Sequence, residues 1–114
     1  GSDPDTVLGT VHTESYNHII GTQKGKSTRV ADADEKFHTY ILEWDANEIK
    51  IFVDKKLYFN FKNEGKTPAE WPFDQKFHLL LNLAIGGGLG GQKGIDDSLF
   101  PHNYMIDYVR VYQK

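Results

Sequence analysis

The 114-residue sequence contains no cysteine, which excludes disulfide bonds, thiolate catalysis and cysteine-bound zinc. It also lacks an apolar run of the roughly 20 residues that a membrane-spanning helix needs. Neither sign of charge dominates, because 13 basic residues oppose 16 acidic ones and leave a formal net charge of -3. Nucleic acid is not expected as a partner, since phosphate binding needs a basic patch. The polar first residues, 1–5, predict no signal peptide within this sequence.

Helical periodicity is scarce as well, and the dominant hydrophobic period is two. Residues 48–54 follow this period, with Ile49, Ile51 and Val53 on one face. The run 77–85 is almost continuously apolar, which is typical of a strand covered on both faces. A turn at 54–56 predicts a hairpin, although it lacks the favoured glycine. Strands are predicted over residues 7–14, 28–30, 37–44, 48–54, 57–61, 77–85 and 105–112. This pattern predicts an all-β antiparallel sandwich and one domain over residues 1–114.

A glycine-rich loop follows the apolar run, from Gly86 to Gly91. A phosphate-binding loop would continue with a Lys-Ser/Thr pair and a helix, and neither pattern follows here. Glycine at this density indicates a tight turn or close approach of a ligand to the backbone. Gly87 and Gly88 are therefore candidate residues at the lip of a binding cleft.

The five histidines show no spacing typical of a metal site. His38 and His78 alternate with apolar neighbours, and we expect them on the surface or with satisfied polar atoms. The segment 10–18 is different, because it concentrates polar side chains where a strand ends. Two interpretations stay open for it, a polar strand end and a site for a polar ligand. Its candidate binding residues are His12, Glu14, Tyr16 and Asn17.

Two acidic clusters need separate interpretations. Glu43 and Asp45 would lie on one strand face about 7 Å apart, at a rise near 3.3 Å per residue. Glycosidase chemistry uses two carboxylates at such distances, but a solvated strand end running into a turn is the favoured interpretation. The segment 32–34 lacks the glycine and distal glutamate of a calcium-binding EF-hand loop, so an exposed turn is predicted there.

Three segments together resemble a known family. They are Phe37 to Trp44 followed by Ile51 to Asp54, then Trp71 to Gln75 followed by Leu81 to Gly87, and finally Asp96 to Pro101 followed by Met105 to Tyr112. The run from Gly9 to Thr13, with Tyr16 to His18 after it, fits the same pattern. The chain resembles the C-terminal half of a glycoside hydrolase family 16 enzyme of the laminarinase (endo-1,3-β-glucanase) kind.

The resemblance implies a jelly roll (concanavalin A-like), of which this chain would form about half. It also implies retaining hydrolysis of β-1,3-glucan by two carboxylates about 5 to 5.5 Å apart. In the family these carboxylates belong to a Glu-x-Asp-x-x-Glu strand. That strand is expected just before the segment corresponding to residues 3–5, so this chain is expected to lack it and to carry no catalytic residue. The alternatives are a non-catalytic β-glucan-binding module and a strand-exchanged assembly fragment.

Several residues take roles from the resemblance. His12 corresponds to a histidine beside the catalytic strand that bonds the sugar or the carboxylates, and the loop containing Gly87 and Gly88 corresponds to one that borders the cleft. Asp107 corresponds to a carboxylate that often binds structural calcium, which makes calcium the expected cofactor. Glu43 and Asp45 correspond to structural positions, which argues against a catalytic pair there.

The expected partners follow from the same resemblance. One is the β-glucan polysaccharide. Another is the N-terminal half of the fold, supplied as a second chain or by strand exchange with a second copy, because half a jelly roll would expose strand edges and one face of the segment 77–85. The parent protein is expected to be secreted, cell-surface or periplasmic.

Overall fold

A computed structural model describes residues 3–113. The ends of the predicted domain, residues 1–2 and 114, lie outside the described residues. The chain divides into two compact units, one of residues 5–79 and one that contains residues 3–4 and 80–113. Each is described by itself, and the single-domain organisation stays a prediction. Among the described residues, no helix is both long and apolar enough to cross a membrane.

Within residues 3–113, five strands form two antiparallel sheets, and all of them belong to the first unit. Strands β1 (Thr6–Val11) and β2 (Lys24–Arg29) form a two-stranded sheet. The second sheet has the order β3-β4-β5 and consists of Tyr40–Trp44, Glu48–Val53 and Lys56–Lys62. These strands overlap five of the predicted ones, although β2 begins four residues before the predicted strand at 28–30, and the antiparallel all-β class is confirmed. The period of two in the sequence explains why these segments form strands, because residues two apart in a strand lie on the same face of the sheet.

The turn between β4 and β5 is a two-residue turn in which both residues have positive φ, 46° at Asp54 and 69° at Lys55. This is the geometry of a type I′ turn, whose twist matches that of the flanking strands. The hairpin prediction is therefore confirmed without the glycine that such turns favour. A register shift between Ile51 and Phe52 adds a bulge beside the turn.

The core lies between the two sheets and is rich in aromatic rings. Phe61 is central: it stacks on Trp71 at 5.5 Å between ring centroids and meets Tyr16 edge-on at 6.0 Å. The segment after β5 thus closes the core through Trp71 rather than through a sixth strand. The buried hydrophobic residues of this core are Val11, Ile49, Val53, Tyr58, Phe59, Phe61 and Trp71.

The predicted strands over 77–85 and 105–112 are not formed, which corrects that part of the sequence-based prediction. Residues 63–113 contain only a four-residue helix, α1 (Gly87–Gly90), and a 3-10 turn at Asp97–Leu99. A strand requires hydrogen bonds from a neighbour, and these segments pair with no strand among residues 3–113. Their apolar side chains are exposed, as predicted for one face of 77–85: Leu79, Leu80, Leu81, Leu83, Ile85, Met105, Ile106, Tyr108, Val109, Val111 and Tyr112.

Candidate functional site

The site is built at the end of β1, where the chain leaves the two-stranded sheet. Gly9 and Val11 face the core and are buried, as is Thr13 immediately beyond the strand. Alternation therefore turns His12 to the opposite, solvent-facing side, on the same face as Thr10. The fold thus presents His12 as an exposed imidazole on an open sheet face, where a polymeric ligand can reach it.

Asn17 organises the loop that follows His12. Its side-chain amide donates to the carbonyl oxygens of Glu14, at 2.8 Å, and Thr13, at 3.3 Å. Its side-chain oxygen accepts from the backbone N–H groups of Ile19 and Ile20 at 3.0 and 3.3 Å. The side-chain nitrogen and the side-chain oxygen of Asn17 both form hydrogen bonds with the backbone of its own loop. Asn17 therefore positions the loop in this structure. Its predicted contact with substrate stays a prediction.

A glutamate that the sequence analysis did not single out fixes the same loop. Glu70 accepts hydrogen bonds from the Ser15 hydroxyl at 2.8 Å and the Thr67 hydroxyl at 2.6 Å. The backbone N–H of Ser15 also donates to the carbonyl oxygen of Ala69 at 2.9 Å. The hydrogen bonds from Thr67 and Ser15 lower the pKa of Glu70. The Thr-x-x-Glu spacing at 67–70 is typical of a capping box and is the signal that could have identified Glu70.

Tyr16 of this loop is partly buried, and its hydroxyl group forms hydrogen bonds. Its hydroxyl lies 3.0 Å from both carboxylate oxygens of Glu64, and the Lys24 ammonium lies 4.6 Å from its ring centroid. The hydrogen bond to Glu64 raises the pKa of Tyr16, and the Lys66 ammonium is the main cause that lowers the pKa of Glu64. A sugar stacking on Tyr16 would therefore compete with Lys24 for the ring, so stacking on Tyr16 stays a prediction.

His18 is a second neighbour of the site that the candidate set omitted. Its ring meets the ring of His12 edge-on, with centroids 5.2 Å apart and planes 84° apart. Glu14 lies between them in sequence and is exposed. The structure thus brings His12, Glu14, Tyr16 and Asn17 together in one loop, with His18 added. The polar side chains of segment 10–18 and the Tyr-Asn-His run of the resemblance were the signals that pointed to His18.

The remaining candidates lie in the second unit. Gly87 and Gly88 begin α1, and a Cβ built on either one meets no atom within 4 Å, so space for a ligand exists beside their backbone. Asp107 lies in an exposed segment. Among residues 3–113, no group of three or more histidines and carboxylates could hold a metal ion. Asp107 thus contributes one carboxylate without a surrounding cage, and calcium there stays a prediction.

The acidic residues Glu43 and Asp45 belong to a longer acidic segment that ends at Glu48. The Glu-x-Asp-x-x-Glu spacing, expected to be absent from this chain, does occur once, at Glu43, Asp45 and Glu48. It spans the turn between β3 and β4 instead of one strand face. Asp45 accepts hydrogen bonds from the backbone N–H groups of Asn47 and Glu48 at 2.7 and 3.0 Å. Asp45 therefore closes a turn, in agreement with the structural role that the resemblance implied.

Comparison with protein-family models decides the family. The model of glycosyl hydrolases family 16 matches residues 1–110 of this chain. The chain belongs to this family. The family 16 chain is 52% identical over 118 residues to the "Beta-glucanase" of Rhodothermus marinus, which covers 99% of this chain and 41% of that protein.

Two solved structures support the same assignment. The laminarinase from Rhodothermus marinus has a TM-score of 0.85 and 51% sequence identity, covering 89% of this chain and 42% of that one. A variant of SCLam, a non-specific endo-β-1,3(4)-glucanase, has a TM-score of 0.82 and 48% identity over 87% of this chain and 38% of that one. That variant presents a 1,3-β-D-cellobiosyl-glucose at its active site. The family 16 chain thus spans about two fifths of the length of these relatives.

Proposed function

We propose that this chain is a segment of an endo-acting β-1,3-glucan hydrolase with a retaining mechanism, to which it supplies cleft wall and substrate contacts. The observation that carries the proposal is the exposed His12 on the open face of β1, in a chain 52% identical to a beta-glucanase. The catalytic carboxylates would come from a polypeptide outside this chain, because its acidic run at 43–48 forms a turn.

The proposed chemistry of the loop is recognition of sugar hydroxyl groups. Neutral imidazole has one donor and one acceptor nitrogen, which suits the hydroxyl groups of a glucan. The bonds of Asn17 and Glu70 hold the loop beside His12 and reduce the entropy lost when it binds a ligand. Glu14 adds an exposed carboxylate that accepts hydrogen bonds from hydroxyl groups.

Calorimetric titration of the chain with a laminari-oligosaccharide tests this proposal. We expect His12→Ala to weaken binding about tenfold, as for one lost hydrogen bond of about 1.4 kcal/mol. His78→Ala is the matched control, because His78 is an exposed histidine outside the loop and should leave the affinity unchanged. Absence of binding by the unaltered chain, or equal affinities of the two variants, would contradict the proposal.

A non-catalytic glucan-binding module is the second candidate function. The acidic run at 43–48 favours it, because Glu48 is bonded to Lys50 and Asn60 while Asp45 caps the turn. Reducing-end release from laminarin separates the two functions when the chain is assayed with and without the rest of the fold. Binding without release in both samples would favour the module.

The proposed partners are the polysaccharide and a polypeptide that completes the fold. Because a polysaccharide of this kind does not cross a membrane, we place the parent protein outside the cytoplasm, secreted or at the cell surface. Structural calcium at Asp107 is part of the same proposal, with further oxygen ligands from outside this chain. Thermal unfolding with and without added Ca²⁺ tests the calcium site, and Asp107→Asn should abolish any stabilisation.

A further inference from the structure

A groove opens along one edge of the sandwich, between β2 of the first sheet and β5 of the second. Its volume of about 390 Å³ lies in the range of sites that hold small ligands. Both strands end their sheets, so no further strand pairs with either one among residues 3–113. The groove is lined by Gly25, Lys26, Leu57, Tyr58, Phe59 and Asn60.

The bulge in β5 explains how the groove is shaped. The register with β4 passes from Phe59 to Leu57 on successive residues of β4 and leaves Tyr58 without a partner. Tyr58 and Phe59 are both buried, at 8% and 7% exposure, although they are adjacent in sequence. They form the floor of the groove, while Leu57 and Asn60 stay exposed at its rim. Redirection of side chains in this way is typical of a bulge.

Lys26 borders the groove from the opposite strand. It is the cross-strand partner of Gly9, whose added Cβ would lie 2.9 Å from Ile51 Cδ1, so Lys26 lies on the core side of its sheet. It is nevertheless exposed, because β2 is an edge strand. His12 lies on the outward side of the same sheet. The groove and the loop that contains His12 are therefore separate surfaces.

The two strands that border the groove are strongly basic. They contain five of the 13 basic residues and none of the 16 acidic ones, so the rest of the chain has eight basic residues against 16 acidic ones. Lys26, Lys56 and Lys62 form no ion pair among residues 3–113. Three lysines outside these strands are paired with carboxylates: Lys36, Lys50 and Lys66. Unpaired ammonium groups along one edge favour an anionic ligand.

One carboxylate approaches the rim, and its charge is compensated. Glu48 accepts a hydrogen bond from the side-chain nitrogen of Asn60 at 3.1 Å and forms an ion pair with Lys50. Because the nitrogen of Asn60 is used in this way, its side-chain oxygen is the atom left to accept a hydrogen bond from a ligand hydroxyl group. Leu57, which is 45% exposed, adds an apolar contact beside it.

These features select among anionic polymers. Strand β2 has six residues and is about 20 Å long, so the edge suits a linear polymer better than a single ion. A single-stranded nucleic acid would stack its bases on exposed aromatic rings or arginine, whereas the rings of the floor are buried and Arg29 is paired with Asp5 at 2.9 Å. Hydroxyl groups and C–H faces of sugar rings match the rim residues Asn60 and Leu57.

We propose that the groove between β2 and β5 binds an acidic polysaccharide through the carboxylates of its uronic acid units. Lys26 binds a carboxylate at the centre of the groove, and Lys56 and Lys62 attract further ones at the two ends of β5. Asn60 accepts a hydrogen bond from a sugar hydroxyl group. The site goes beyond the proposed glucan contacts, because it would anchor the chain to an acidic polymer while the His12 loop stays free for glucan.

Calorimetric titration of the 114-residue chain with hexagalacturonate at low ionic strength tests this site. Lys26→Gln should weaken binding about threefold to fivefold, as for one exposed charge pair, and Lys26→Glu at least about tenfold. Lys76→Gln is the matched control and should change the affinity less than about twofold. It removes the same charge at an exposed position, beside Phe77, which packs on Trp44 at the opposite edge of the sheet.

Folding and edge protection are checked on the same variants. Lys26→Gln should keep its melting temperature within about 3 °C, because Lys26 is exposed, and Lys26→Arg should keep the affinity within about twofold. Equal weakening by Lys26→Gln and Lys76→Gln overturns the proposal, because binding would then follow net charge alone. Self-association of Lys26→Gln with unchanged affinity also overturns it, because the lysines would then only prevent strand addition.

Two further probes separate this inference from nucleic acid binding and from the proposed function. Single-stranded DNA that binds as tightly as hexagalacturonate, with the same sensitivity to Lys26→Gln, overturns the proposal. His12→Ala should leave the hexagalacturonate affinity unchanged, and a loss there overturns it too, because the acidic polymer would then occupy the His12 loop. Binding of hexagalacturonate that depends on Lys26, without any binding of a laminari-oligosaccharide, supports this site and contradicts the proposed function alone.

Discussion

Phe61 stacks on Trp71 with ring centroids 5.5 Å apart and planes inclined by 22°. Phe61 comes from β5 and Trp71 from the segment that follows it, so the contact fixes that segment against the sheet. Tyr16 packs edge-on to the same Phe61 ring, which connects the candidate binding loop to the core. The stability of the loop and that of the aromatic core are therefore coupled.

Phe61→Ala should lower the free energy of unfolding by about 3–5 kcal/mol, because it leaves a cavity among buried rings. Urea denaturation followed by tryptophan fluorescence measures the change. Phe37→Ala is the control, since Phe37 is 67% exposed, and its effect should stay within about 0.5 kcal/mol. Similar losses for the two variants would contradict the central role of Phe61.

Gly9→Ala should destabilise the chain by about 1–3 kcal/mol, because the new methyl group would collide with Ile51 and Tyr58 between the sheets. Gly90→Ala provides the comparison, since a Cβ there meets no atom within 4 Å. Thermal unfolding of both variants measures the difference. An equally small effect at both positions would show that the sheets are not in close contact at Gly9.

Lys55→Gly should stabilise the β4–β5 hairpin by up to about 1 kcal/mol, because glycine adopts a positive φ without the Cβ clash that lysine has. Lys55→Val should destabilise it, since a β-branched side chain tolerates this conformation poorly. Chemical denaturation of the two variants gives opposite signs if the turn has the geometry described. A loss of stability with glycine would contradict it.

His38 makes the stability depend on pH. Its Nδ1 lies 2.6 Å from Asp54 Oδ2 and its Nε2 lies 3.1 Å from Asp32 Oδ1, and these carboxylates, Asp54 first, raise the pKa of His38 above 6.5. The stabilisation is complete below pH 6.5 and is lost as the pH rises through the raised pKa. The pKa values of both aspartates are lowered, mainly by Lys36 at Asp32 and by His38 at Asp54, so acid below about pH 3.8 removes it too.

Melting temperatures measured from about pH 5.5 to about pH 8.5 test this dependence. The unaltered chain should lose stability across that range, whereas His38→Gln should show a smaller change. His78→Gln is the exposed control and should behave like the unaltered chain. A pH profile of His38→Gln identical to that of the unaltered chain would exclude the ion pairs as its cause.

The strands that the sequence predicts correctly are those whose partners are close in sequence. Ile49, Ile51 and Val53 alternate with polar or less buried residues, and only two residues separate the end of β4 from the start of β5. Pairing of β4 with β5 then requires only a short turn, so the local pattern of residues is sufficient to predict the hairpin. The expectation that His38 has satisfied polar atoms holds for Nδ1, which is bonded to Asp54, whereas the buried Nε2 lies 3.1 Å from Asp32 without a hydrogen bond, and neither neighbour could be named from the sequence.

Spacing alone misleads where the chain turns. Glu43, Asp45 and Glu48 have the spacing of the family's catalytic strand, yet the hydrogen bonds of Asp45 close a turn between two strands. Glu70 and His18 were missed for a related reason. The role of Glu70 depends on Ser15, which lies 55 residues away in sequence, and His18 meets His12 only because the loop between them folds back.

The sequence by itself determined the all-β class, the family and the β4–β5 hairpin, because alternation and turns act over a few residues. Only the tertiary structure decided which segments become strands, since 77–85 and 105–112 carry strand-like sequences but have no pairing neighbour among residues 3–113. It also decided which apolar residues are buried. Leu42 and Ile51 face each other in register, and only Ile51 lies beneath the second sheet, because burial depends on what covers a residue and not on its own hydrophobicity.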